Sequence, residues 1–189
     1  MSVYSLLVFL HIVGALGLFA GLGLEQAGLL NLRRASTNVQ VREWVSLLGA
    51  LRRIESPAAL LIVTSGFYLV ATRWGHHAWI GLGLLGLVLM AVLGAVVTGR
   101  RVTRIRQALP AEDGPIEEAL RQRLRDPALR TSAALRAALA VGIVFSMSVK
   151  PGTVGAFTAM GVAMALGLAV ASAGRIGGRA TAGQYDTGA

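Results

Sequence analysis

His11 and Glu25 lie within FLHIVGALGLFAGLGLEQAG, residues 9–28, a stretch otherwise built from hydrocarbon side chains and glycine. An imidazole at such a depth offers a neutral nitrogen donor to haem iron or another metal. A carboxylate there is a proton site or half of an ion pair. Helical spacing puts both on one stripe: His11, Gly14, Leu18, Gly21, Glu25 and Gly28 recur at intervals of three and four. Gly17 and Gly21 add a GxxxG pair beside it, and small residues let membrane helices approach closely. Ionisable groups within a bilayer usually face protein or a cavity. The stripe is therefore expected to pack against other helices. At 1.5 Å rise per residue, His11 and Glu25 stand roughly 21 Å apart along the axis and are not partners.

Other candidates gather in two short connections. His76 and His77 occupy RWGHHAW, and Met147 and Lys150 occupy SMSVKPG. Two cofactor readings stay open. In the first, His11 is an axial ligand of haem b, Lys150 pairs with a propionate, and Met147 lies nearby. In the second, His11 with Met147 and His76 or His77 holds copper or another metal. Plainer roles stand beside them: a buried histidine bonded to a hydroxyl or carbonyl, a turn lysine at the headgroups, a core methionine. Glu25 is expected to be a structural polar residue paired with an arginine such as Arg136 or Arg53, and Arg136 to snorkel to a membrane surface. No HExxH, P-loop, dinucleotide fingerprint or nucleophile elbow occurs. No cysteine occurs either, so thiolate metal sites, disulfides and cysteine catalysis are excluded.

The elements that must position these residues are membrane helices. The chain is 54% hydrophobic and 14% charged, where a soluble domain carries about 25% charge. Five stretches approach the ~20 apolar residues a span requires: about 4–30, 57–72, 78–98, 131–149 and 153–173. The second is short. The expectation is an all-α, polytopic helical bundle forming one domain over 1–175, with a flexible tail over 176–189. The first stretch has no basic flank and is too long to read as a cleavable signal.

The net charge of +9 comes almost wholly from arginine, Lys150 being the one lysine. Arginines crowd the loops 31–56 and 99–130 and the tail, whereas the other side holds Arg73 and Lys150. That asymmetry places the N-terminus outside and the C-terminus in the cytoplasm, in the cytoplasmic or inner membrane. It assigns the positive charge to membrane lipid and not to nucleic acid. Val41, Trp44, Leu48 and Leu51 predict an amphipathic helix over 36–56 that runs into the second span, with Ser56–Pro57 as cap and first residue. Pro115 is expected to open a second such helix, with Ile116, Leu120 and Leu124 on its apolar stripe. Trp74 and Trp79 are expected in an interfacial aromatic belt.

HIVGALGLFAGL, 11–22, resembles the first helix of the J-type bacterial protoporphyrinogen oxidases, and RIESPAALLIVTSGFYLV, 53–70, resembles their second. MSVKPG, 147–152, is similar to a phrase of the copper-resistance D-type proteins and of related integral membrane proteins without settled activity. The resemblance implies a small helical bundle and haem b, with His11 at the position of the family histidine. It also implies a lysine early in helix three. WIGLG, 79–83, has Gly83 at that position, a departure that counts against porphyrinogen oxidation. Whether the chain is an enzyme is left open. A third reading is an accessory subunit of a larger membrane complex or a homo-oligomer.

Overall fold

The computed structural model describes residues 2–75 and 77–183, and their side chains except those of Trp74 and of 174–183. His76 and the residues from 184 onward lie outside the described residues, as does that part of the expected tail. Seven α-helices follow in order: α1 Val3–Arg34, α2 Asn38–Leu69, α3 Ala78–Val92, α4 Arg100–Gln107, α5 Glu118–Leu124, α6 Pro127–Val149 and α7 Thr153–Gly183. Two π-helical segments, Val70–Trp74 and Leu93–Gly99, extend α2 and α3. Among the described residues there is no strand beyond one isolated bridge between Thr37 and Pro115. Five helical stretches are long and apolar enough to cross a membrane: Val3–Arg34, Asn38–Arg73, Ala78–Gln107, Glu118–Val149 and Thr153–Ala173. The chain is an all-α, multi-pass helical membrane protein.

The helices group into two compact units. The first comprises residues 1–77 and 100–125 and contains α1, α2, α4 and α5. Its frame is the antiparallel hairpin of α1 on α2. Glycines on α1 set the spacing. A β-carbon on Gly14 would lie 3.0 Å from the Ala58 carbonyl oxygen, one on Gly17 3.3 Å from the Ala58 methyl, and one on Gly28 3.0 Å from Leu48. With no hydrophobic driving force between helices in lipid, such close van der Waals contact is what holds a hairpin together. Gly14, Gly21, Glu25 and Gly28 are buried as their spacing predicts. Arg73 stacks over the Tyr4 ring at 5.2 Å and joins the free ends of the two helices.

At the opposite end, α4 and α5 complete a water-soluble type of core. Leu32, Val41, Ile105, Ile116, Leu120 and Leu124 are all buried there. Each such side chain contributes about 1.5–3 kcal/mol when removed from water. The loop before α5 is stitched to the start of α2. The Asn38 amide donates to the Gly114 carbonyl at 2.9 Å. Arg42 donates to the carbonyls of Pro110 and Ala111, each at 3.1 Å, and meets Asp113 at 3.3 Å.

Three sequence expectations change here. α2 has no break at Ser56–Pro57: it is capped at Thr37, whose hydroxyl accepts from the Gln40 amide, and it runs through Pro57. Proline removes one donor, but packing along the whole hairpin outweighs one missing bond. Pro115 does not open a helix either. It faces Thr37 in the bridge, and α5 begins three residues later. Trp79 is buried and does not occupy a lipid-facing belt position.

The second unit comprises residues 78–99 and 126–189, with α3, α6 and α7 among its described elements. Asp126 caps α6 by accepting from the Ala128 amide at 2.8 Å, and Pro127 follows at the first turn. Glycines again mark the crossings. A β-carbon on Gly86 would meet Ile143 at 3.1 Å, and one on Gly142 would meet Ala163 at 2.9 Å.

Candidate functional site

His11 is seated where α1 crosses the last turns of α2. Its Nδ1 lies 3.1 Å from Ser65 Oγ. Its ring rests on Gly66, where a β-carbon would stand 3.1 Å from His11 Cε1. Ser65 is buried and the imidazole half-buried. Ser65 Oγ also donates along its own helix to the Leu61 carbonyl. The ring therefore has a polar companion and a flat platform, both on α2, and it points into the hairpin.

Glu25 is 8% exposed on the same face of α1. The hairpin register, with Gly21 against Glu55 and Gly28 against Leu48, brings Glu25 level with Leu51 and Arg52. Glu55 is a second carboxylate on this crossing that sequence reasoning did not single out. It follows Val41, Leu48 and Leu51 on the inward face of α2, and only the pairing with Gly21 reveals its position.

In the other unit, Met147 fills a notch at Gly83, where a β-carbon would stand 2.5 Å from its methyl. The position that the resemblance would give to a lysine is thus taken by α6 packing against bare backbone. Lys150 ends α6 in the left-handed region, with φ 51° and ψ 54°, and its amide donates to the Ser146 carbonyl. Its side chain is exposed. His77 is exposed immediately before α3. Among the described residues, no group of three or more histidine, aspartate or glutamate side chains is positioned to hold a metal ion.

Arg136 does not snorkel. It is 5% exposed and lies across Gly94 in the π-helical segment, where a β-carbon would meet its guanidinium carbon at 2.9 Å. Beside it, Ser132 Oγ donates to the Leu93 carbonyl at 3.2 Å and lies 3.0 Å from Thr98 Oγ1. The hydroxyl thus ties α6 to the first turn of the π-helical segment.

Of the sequence candidates, then, His11 gains built surroundings, and Glu25 and Arg136 are buried polar groups within their own units. Ser65, Gly66 and Glu55 were missed. A search against protein-family models, curated proteins and solved structures found no match.

Proposed function

We propose that this multi-pass protein resides in the cytoplasmic membrane, with its N-terminus outside, and binds haem b in a redox role through His11. The observation that carries the reading is the seat of His11: an imidazole at membrane depth, resting on a glycine, with one ring nitrogen held by a serine hydroxyl. A ligating histidine characteristically has its other nitrogen held by an outer-shell acceptor. Haem so bound would supply one-electron chemistry. The arginine asymmetry supports the orientation. The likeness of the first two helices to the J-type oxidases supports the choice of haem, and Gly83 argues against their substrate.

An absorption spectrum together with metal analysis of protein extracted gently from its native membrane tests this. A haem band with stoichiometric iron is expected. Copper without haem would replace the proposal with metal handling. A colourless, metal-free chain that co-purifies with other subunits would replace it with an accessory role in a larger complex.

A further inference from the structure

We infer that His11 carries its proton on Nδ1 and presents Nε2 as the open donor, with Ser65 as the positioning residue that sets this tautomer. The inference deepens the haem reading and rests on it for its use. A serine hydroxyl has a single proton. In α2 that proton is committed within the helix, because Ser65 Oγ donates to the Leu61 carbonyl and lies 3.3 Å from the Ile62 carbonyl. Toward His11, 3.1 Å away, the same oxygen can only accept. The nitrogen facing it must therefore be N–H. In a neutral imidazole the proton on Nδ1 leaves a lone pair on Nε2. The hydroxyl contact is made by Nδ1, so Nε2 lies on the other edge of the ring.

Gly66 completes the arrangement. A methyl group at that position would stand 3.1 Å from His11 Cε1, the atom between the two nitrogens. The glycine thus lets the ring lie flat on α2, and the hydroxyl one residue earlier fixes which edge faces inward. The predicted ligand for Nε2 is a metal centre that accepts one neutral nitrogen, such as haem iron.

The test uses the full chain, labelled with ¹⁵N-histidine, in lipid nanodiscs without added haem, at a pH where the ring is neutral. Only three histidines contribute signals. The expected His11 spectrum has a protonated, pyrrole-type Nδ1 and a bare, pyridine-type Nε2. Ser65→Ala removes the hydroxyl that accepts from the ring and should raise the share of the tautomer protonated on Nε2. Ser65→Thr, which restores a hydroxyl, should return the original pattern. Circular dichroism establishes that each variant is helical. A wild-type ring protonated on Nε2, or a Ser65→Ala spectrum identical to wild type, would overturn the inference. Because no haem is present, a confirmed tautomer in a protein that never takes up haem would sink the haem reading alone. Haem uptake by a ring protonated on Nε2 in the free protein would sink this inference alone.

Discussion

Gly21 of α1 and Glu55 of α2 meet face to face, so closely that a β-carbon on the glycine would stand 2.7 Å from Glu55 Cγ. A carboxylate-bearing side chain thus lies along a helix crossing only because its opposite residue has no side chain. The same relation recurs down the hairpin, and it makes individual glycines testable.

Gly14→Ala should destabilise the hairpin by about 1–3 kcal/mol, because the new methyl would collide with the Ala58 carbonyl and the Ile62 backbone, which cannot swing aside. Gly23→Ala is the control. Nothing lies within 4 Å of its added carbon, so the expected effect is neutral or up to about 1 kcal/mol stabilising, from helix propensity. Reversible unfolding in mixed micelles measures both. Equal effects would contradict the packing described.

In the second unit, Gly94→Ala should be destabilising, because the buried Arg136 guanidinium must shift to admit the new methyl. The clash disappears if the arginine is shortened. In an Arg136→Ala background the same glycine substitution should therefore cost less than about 1 kcal/mol, a coupling that a double-mutant cycle reads directly. Additive effects would show that Arg136 does not lie over this turn.

Ser132→Ala removes the donor to the Leu93 carbonyl and the neighbour of Thr98. Hydrogen bonds between membrane helices average about 0.6 kcal/mol and reach about 1.7. A loss within that range is expected in the same unfolding assay. A much larger loss would mean that the π-helical segment itself depends on this hydroxyl.

Arg42→Ala should change global stability by less than about 1 kcal/mol, because its ion pair with Asp113 is exposed. Its two bonds to the Pro110 and Ala111 carbonyls tie down a loop locally. Faster hydrogen exchange and proteolysis confined to residues 108–117 are therefore expected, with the helices unaffected. Protection unchanged in that loop would rule out the tie.

What the sequence revealed, and what it hid, follows from the range of the interactions. The buried stripe of α1 was legible because a 3.6-residue period is written in one segment: Gly14, Gly21, Glu25 and Gly28 are buried where their spacing puts them. The partners across the crossing were not. Ser65 lies 54 residues from His11, and nothing in ALLIVTSGFYLV distinguishes that serine from Thr64 until the helices are paired. Ser56–Pro57 misled because a cap-and-proline signal is local, whereas the helix through it is held by contacts on both sides. Pro115 misled for the same reason, since its setting is fixed by Thr37 on another element. The buried Arg136 was invisible as such because only the bare Gly94 makes room for it.

The most direct measurement is haem titration of the purified chain, comparing wild type with His11→Ala and with His11→Ala supplied with free imidazole. Haem binding through His11 predicts a Soret band in the wild type, its loss in the variant, and its partial return when imidazole fills the vacated position. Equal haem uptake by wild type and His11→Ala, or no uptake by either, would contradict it.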